Sequence, residues 1–383
     1  MTRNRSAVTR DEQIPLLNRY KSLNLNMSVL DCVVMLLKRI LWTYRSKGPS
    51  KLAYMGGKFA YQVARDLKKG EYAPVTVLKS YATGVTPKSY LWLGLENKDP
   101  DQYISTPEVF LELNEGYGNV LSNKFVFTEA NQDFDDIVPE LYGTIEFGTF
   151  RPSSEKYPDD LRRLVADQGS ITVKPIDDNQ GNGFYILSVV DGELEISTRE
   201  LSPPSVEALL DQLDGYIVSE LINQHAYADE IYPDAINTLR ILTAIDPDTL
   251  EPRVIRAAHR FGSDESAPTD NFAAGGYCAN VNVETGEIGE IATVGNDDQR
   301  VLHRTHPKTG ASVAGVELPY WEEALETVLE LADKHRPARL VGWDVIISPD
   351  GPRVIEGNIK PGIHLIQADA GLLEEPPAER LLE

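Results

Sequence analysis

The stretch Val341-Gly342-Trp343-Asp344-Val345-Ile346-Ile347-Ser348-Pro349-Asp350-Gly351-Pro352-Arg353-Val354-Ile355-Glu356-Gly357-Asn358 consists of two apolar runs joined by Ser-Pro-Asp-Gly-Pro. That concentration of turn formers predicts a β-hairpin. With the two-fold centre near Asp350, Asp344 stands opposite Glu356, and Asn358 points to the same face two residues further along. Carboxylates directly across from one another repel, which a structural hairpin avoids and a divalent cation corrects. Three hard oxygen donors without histidine or thiolate suit magnesium or manganese and argue against zinc. Magnesium keeps some of its water and takes further oxygens from nucleotide phosphates. The other reading is an acidic hairpin facing solvent in an acidic protein.

Two upstream stretches bear on the choice. In Ile171-Thr172-Val173-Lys174-Pro175-Ile176-Asp177-Asp178-Asn179-Gln180-Gly181-Asn182-Gly183-Phe184, a strand ending in lysine is followed by a short loop with two glycines and a second strand. The backbone N–H groups of such a hairpin can face phosphate oxygens, with Lys174 adding a fixed positive charge; an ordinary turn is the alternative. It is not a Walker loop, because no Gly-Lys-Ser/Thr opens a helix. Further on, Arg240 lies in Asn237-Thr238-Leu239-Arg240-Ile241, and Arg256 and His259-Arg260 lie on the next strand. An arginine fork grips carboxylate or phosphate at two points, and each of these also fits a surface ion pair. Asp270-Asn271-Phe272-Ala273-Ala274-Gly275-Gly276 is a small-residue loop whose glycines permit close backbone approach to a ligand or simply a turn.

The 383 residues, 42% hydrophobic and 25% charged, suffice for one or two ordinary cores. The net charge of -22 divides unevenly. Residues 1–91 carry 16 Lys and Arg against five Asp and Glu, or +11, and residues 92–383 carry 21 against 54, or -33. The acidic body repels phosphate backbones and argues against nucleic acid as a partner. Its low lysine content resembles halophilic archaeal usage. The basic N-terminal part fits a solvated helical face, a contact with the acidic body, or peripheral contact with acidic lipid. The longest apolar run, Cys32 to Leu37, is too short to span a bilayer, and the N-terminus has no secretion-signal pattern. Two distant cysteines, Cys32 and Cys278, form no disulfide framework or metal knuckle. The expectation is a cytoplasmic protein, with the inner membrane surface as a second location.

Apolar spacing predicts helices over Ser28 to Arg45 and Lys58 to Lys69, then Tyr157 to Asp167, Ser205 to Leu213 and Tyr320 to Arg336. Predicted strands are Ser170 to Pro175, Phe184 to Val190, Gly215 to Leu221, Leu239 to Ile245, Val254 to Arg260, Cys278 to Val283, Leu340 to Ile347 and Arg353 to Gly357. Residues 72–123 mix proline, glycine and aromatics, and no element is assigned there. Strands joined by tight turns with few intervening helices indicate an α+β fold.

In their order along the chain, Lys124, Lys174-Pro175 with its glycine hairpin, Ser219-Glu220-Leu221, Asn237 to Arg240, Arg260, Asn271 with Gly275-Gly276, and Asp344 with Glu356-x-Asn358 resemble an ATP-grasp enzyme. The phrases NTLRILT, GWDVIISPDGPRVIEGN and the following Lys-Pro-Gly are most similar to the sugar-transfer-associated ATP-grasp group, which is related to alpha-L-glutamate ligases. The resemblance covers about residues 100 to 370 and little of the first 90. It implies two α+β subdomains clamping ATP, behind a basic helical N-terminal region. The corresponding boundaries are 1–91, 92–218 with the glycine hairpin, and 219–383 with the metal-binding hairpin.

Carried over by position, the resemblance implies that Lys124 and Lys174 hold ATP phosphates under the Gln180, Gly181 and Gly183 loop. It places Glu220, Leu221 and Ile222 along the adenine. Asp344, Glu356 and Asn358 then bind magnesium, while Arg260 with Asn271 stabilises the transferred phosphoryl group and Arg240 contacts phosphate or carboxylate. Asn237-Thr238 stands where many relatives carry an acid for the ribose, with Asp229 or Glu230 as replacements. Asn358-Ile359-Lys360-Pro361-Gly362 keeps the Asn-x-x-Pro-Gly form. The implied activity is a magnesium- and ATP-dependent carboxylate–amine ligase with small, sugar-linked or peptide-linked substrates. A phosphotransferase on the same fold and a non-catalytic nucleotide-binding partner of a surface-assembly system are the alternatives.

Overall fold

The computed structural model of the chain describes residues 57–58, 60–104, 113–114, 117–134, 136–177, 183–199 and 202–382. Two antiparallel sheets dominate it. The first has the order β2-β1-β6-β3-β4-β5 and the second β11-β10-β9-β8-β7-β12-β13. In the first sheet β1 is Leu141–Glu146, β2 Thr149–Pro152, β3 Ser170–Pro175, β4 Tyr185–Val190, β5 Glu193–Ser197 and β6 Tyr216–Glu220. In the second, β7 is Leu239–Ile245, β8 Pro252–Phe261, β9 Tyr277–Val281, β10 Ile288–Val294, β11 Arg300–His303, β12 Leu340–Ser348 and β13 Gly351–Asn358. The α+β expectation holds.

Each sheet has its own core. The helix Leu161–Gln168, capped by the Asp160 side chain accepting from Arg163 N at 2.8 Å, places Leu161, Leu164 and Val165 against Ile171, Val173, Leu187 and Val218 of the first sheet. The helix Trp321–Lys334 opens with Glu322 and Glu323, ends with Lys334 in register with its dipole, and lays Ala324, Val328 and Leu331 on the second sheet. Beneath it are Ile241, Ala257, Ala279, Trp343, Val345 and Ile347, one face of β7, β8, β9 and β12. The other face is covered in part by Ile363–Ile366, the end of the chain and Pro87–Leu93, packed on Leu242, Ala244, Leu340, Cys278 and Ala292. The rest of that face carries the polar residues discussed below.

Predicted and observed elements agree to within a few residues for the eight predicted strands. The helix predicted over Ser205 to Leu213 shortens to Val206–Leu210, Tyr157 to Asp167 becomes Leu161–Gln168, and Tyr320 to Arg336 becomes Trp321–Lys334. Residues 60–69 are helical as expected, and the helix expected over 28–45 lies outside the described residues. Five strands were not foreseen: β1, β2, β5, β10 and β11. Gly143 in β1 and Gly289 in β10 weaken the strand signal in sequence. Gly143 is needed because a Cβ there would lie 2.2 Å from Arg151 O of the crossing β2. Within 72–123 the chain forms helices Pro74–Thr83 and Pro87–Leu93, each begun by proline and ended by a glycine, Gly84 at φ 87° and Gly94 at φ 65°. Those prolines and glycines act as helix start and stop residues, not as loop formers.

Candidate active site

The hairpin β12–β13 sets Asp344 opposite Glu356, as the sequence predicts, by a route that the sequence does not reveal. Its turn is Pro349-Asp350, between Ser348 paired with Gly351, so the register near the turn would bring Asp344 opposite Ile355. A bulge between Asp344 and Val345 adds one residue on β13 and restores the Asp344–Glu356 pair. Cross-strand pairing continues from Asp344 to Arg240 on β7 and from Arg240 to Ala258 on β8. Arg260, two residues beyond Ala258, returns to the same face. One polar stripe thus runs Arg260, Arg240, Asp344, Glu356 and Asn358 across three central strands and an edge, with Trp343 and Ile241 on the reverse.

The stripe is bonded internally. Arg240 grips Asp344 at two points, Nε to Oδ1 and Nη2 to Oδ2 at 3.0 Å, and Arg260 Nη2 donates to the same Oδ2 at 2.7 Å. Arg260 also donates to Thr238 Oγ1 and lies 3.4 Å from Asp270 Oδ2. Asp270 Oδ2 in turn accepts from Thr238 N at 2.7 Å and Thr238 Oγ1 at 2.6 Å. Burial pushes the Asp344 carboxyl up against the pull of both arginines. Burial also works against the Arg260 charge, but Asp270, Asp344 and Glu356 outweigh it and hold the guanidinium protonated. Gly342 allows this close assembly, since a Cβ there would meet Pro361 Cβ at 2.6 Å and Arg240 Cδ at 2.8 Å.

Glu356 faces a second pair of cations. Lys124 Nζ lies 3.6 Å from Glu356 Oε2, and Asn358 Nδ2 donates to Glu356 Oε1 at 2.9 Å. Burial alone would raise the Glu356 carboxyl, but the Lys124 charge and the Asn358 bond bring it down to about 2. Lys124 begins the helix Lys124–Ala130, whose N-cap Asn123 accepts from Val126 N at 2.9 Å. Lys124 N donates to Ile176 O at 3.1 Å, which docks that helix on the end of β3 and brings Lys124 near Lys174. Lys174 is half-buried, and burial followed by the Lys124 charge pushes its ammonium down to about 8.

The remaining predicted residues are distributed as follows. Gln180 and Gly181 lie outside the described residues. Gly183 adopts φ 66°, and a Cβ there would approach Tyr216 Oη to 2.5 Å, so this end of the loop requires glycine. Glu220 ends β6, and Leu221 and buried Ile222 follow it into the crossing between sheets. Asn271 caps the turn Phe272–Ala274, accepting from Ala273 N at 3.0 Å, beside Asp270. Asn237 is buried and structural: its amide donates to Tyr232 O at 2.8 Å and its oxygen accepts from Gly262 N at 2.9 Å. Asp229 accepts from Gln224 Nε2 at 2.7 Å. Sequence reasoning missed Asp270 and Thr238 as supports of Arg260, although Asp270 adjoins the selected Asn271. His259 is structural, stacked on Phe261 and bonded to Tyr227 Oη at 2.8 Å.

A hard divalent cation fits this donor set. Glu356 is ionised, Asn358 adjoins it and Asp344 stands opposite, all oxygen donors. Among the described residues no group of three or more His, Cys, Asp and Glu side chains is placed to hold a metal. Both Asp344 oxygens accept from arginine, so this carboxylate would join a cation only by giving up one of those contacts.

Two antiparallel sheets thus carry these groups, with Lys174 on β3 and Lys124 docked at its end, and an Arg–Asp–Glu–Asn stripe on the second sheet. The sequence matches the sugar-transfer-associated ATP-grasp family over residues 112–378, and the chain belongs to that family. No curated protein sequence matches it. Among solved structures, D-alanyl-alanine synthetase A from Vibrio cholerae is 14% identical at a TM-score of 0.38, covering 67% of this chain and 60% of its own. The VanG D-Ala:D-Ser ligase from Enterococcus faecalis is 15% identical at 0.36, covering 68% and 62%. N5-carboxyaminoimidazole synthase from Aspergillus clavatus, solved with ADP, is 12% identical at 0.34, covering 69% and 54%. The chain therefore spans less than two thirds of the length of these proteins. Among the described residues no helix is long and apolar enough to cross a membrane.

Proposed function

We propose that this protein is a magnesium- and ATP-dependent carboxylate–amine ligase that works through an acyl phosphate, with a sugar- or peptide-linked substrate. The observation that carries the reading is the juxtaposition of Lys124 with Glu356 at 3.6 Å beside the Arg240–Asp344–Arg260 assembly. Cations and hard oxygens converge on one face with no nucleophile among them. Phosphoryl transfer calls for such positioning and charge neutralisation and for little covalent chemistry from the protein.

In the proposed sequence a substrate carboxylate oxygen bonds to the γ-phosphorus as the bond to the bridging oxygen breaks, releasing ADP. The lone pair of an amine then attacks the acyl carbon, phosphate leaves with the C–O electron pair, and the amine sheds a proton. Lys124 and Lys174 bind phosphate oxygens, and Arg260, braced by Asp270 and Thr238, and Arg240 counter the charge on the transferring group with Asn271 beside them. Magnesium, held by Glu356, Asn358 and Asp344, supplies further neutralisation when bound. Glu220, Leu221 and Ile222 line the base, and the loop through Gln180, Gly181 and Gly183 covers the phosphates. The unit boundaries assigned from sequence, 1–91, 92–218 and 219–383, belong to this proposal, as do a cytoplasmic setting and a halophile-like acidic surface suited to high salt.

The test is hydroxylamine trapping with magnesium-ATP at high potassium chloride, across amino acids, peptides and acidic sugars. A hydroxamate with stoichiometric ADP is expected. ADP with a stable phosphorylated product instead would identify a phosphotransferase, and binding of ATP with neither product across the panel would favour a non-catalytic partner. Liposome co-sedimentation with and without residues 1–91 tests peripheral membrane contact, and equal binding of both chains removes it.

A pH dependence follows from Lys174. In the free protein its ammonium loses a proton as pH rises through about 8. Affinity for ATP is therefore expected to fall above that pH, where binding takes up a proton, and to be insensitive to this group below it. Titration calorimetry in buffers of different ionisation enthalpy measures the uptake, and Lys174→Met should abolish it.

A further inference from the structure

An ion pair joins the two sheets on the turn side of the Asp344–Glu356 pair. Glu220 closes β6 of the first sheet, and Arg353 lies on β13 of the second. Arg353 Nη2 donates to Glu220 Oε2 at 2.7 Å and Nη1 to Oε1 at 3.4 Å, while Nη2 also reaches Val138 O at 3.0 Å. Glu220 Oε2 accepts in addition from Glu140 N at 3.1 Å, and Glu220 N donates to Glu140 O at 2.9 Å. A single side chain of the second sheet thus fastens both the end of β6 and the segment that enters β1. The crossing that follows is tied a second time, by His225 N donating to Ile347 O at 2.7 Å.

The register gives this pair its meaning. Arg353 is paired with Ile346 and so shares the face of Asp344, three residues before Glu356 on the same strand. About 10 Å of β13 therefore separates the clamp on Glu220 from the acid that faces Lys124. The clamp is kept at a cost, because Arg353 Nε is one of two buried side-chain polar atoms without a partner among the described residues. The guanidinium leaves that donor unpaired and keeps two bonds to Glu220.

We propose that Arg353 is a positioning residue for the nucleobase. By clamping Glu220 it fixes Leu221 and Ile222 against the sheet that carries the phosphate-end groups, and it thereby sets affinity for the base without touching the reacting atoms. The proposal rests on the nucleotide-binding reading above.

The test uses the full chain with magnesium at high potassium chloride and two probes: ADP, which has a base, and inorganic tripolyphosphate, which has none. Arg353→Met is expected to weaken ADP binding about tenfold and to leave tripolyphosphate binding unchanged, with KM for ATP raised and kcat near the wild-type value. Arg353→Lys, which has no two-point fork, should recover little. Unchanged tripolyphosphate binding by Arg353→Met guards against misfolding of that variant. Unchanged ADP affinity in Arg353→Met, or an equal loss for both probes, overturns the proposal. A wild-type protein that binds neither probe overturns the nucleotide reading itself, and the proposal with it.

Discussion

Glu356→Gln is expected to lower ATP turnover by about 10²–10³-fold while leaving the fold intact. The substitution preserves volume, so the β12–β13 pairing and the bond from Asn358 Nδ2 at 2.9 Å have a geometric equivalent. The charge is lost. Glu356 is held down to about 2, by Lys124 and Asn358 against its burial, so it is ionised at every working pH. Without it the proposed cation site keeps one carboxylate, Asp344, both of whose oxygens are bonded to arginine. Lys124 loses its partner at 3.6 Å, and Lys174 loses the one nearby negative charge that offsets its burial. The measurement is ADP release in the hydroxylamine assay, with circular dichroism as the control for folding. Turnover within threefold of wild type would remove Glu356 from the proposed chemistry.

Trp343→Ala is expected to cost about 3–5 kcal/mol of stability, the range for deleting a large aromatic from a packed core. Trp343 is 0% exposed and adjoins Asp344, with its ring on the opposite face among Ile241, Val345 and the helix Trp321–Lys334. Its indole Nε1 donates to Thr243 Oγ1 at 2.8 Å, so truncation empties a large volume and also leaves a buried hydroxyl without that donor. Gly357 on β13 lies against the same ring, since a Cβ there would be 3.0 Å from Trp343 Cζ3. The two strands that carry Asp344 and Glu356 therefore rest on this side chain, and activity should fall with stability. Denaturant unfolding at a fixed potassium chloride concentration gives the cost, and a shift below about 1 kcal/mol would contradict the packing.

The second sheet was the more legible of the two. Leu239 to Ile245 and Leu340 to Ile347 are long, β-branched and bounded by turn residues, and the hairpin turn Ser-Pro-Asp-Gly-Pro is unambiguous. The strands that escaped notice are short, charged or interrupted by glycine. The strand Glu193–Ser197 does alternate Glu with apolar residues, but over only five positions on an edge, and Arg300–His303 spans four residues without alternation. In the helices Pro74–Thr83 and Pro87–Leu93 the punctuation is present in the sequence, but amid mixed proline, glycine and aromatic residues it assigns no element. A proline at a helix start is compatible with the missing N–H, and a glycine after the last turn takes the left-handed conformation.

By itself the sequence determined which chemistry this protein presents: oxygen donors without thiolate, two lysines, two arginines and no nucleophile with a base. It determined the hairpin and the side of it that carries Asp344 and Glu356, because alternation along a strand is a local property. Tertiary structure decided what those groups touch. The bulge that restores Asp344 to Glu356, the meeting of Lys124 with Lys174 across 50 residues of chain, the hold of Arg240 and Arg260 on Asp344, and the clamp of Arg353 on Glu220 all join distant segments. Charges at such distances in sequence influence one another only after the sheets exclude water and bring them together, where burial with the Lys124 charge added lowers Lys174 to about 8, and the Lys124 charge with the Asn358 bond lowers Glu356 to about 2 against its burial.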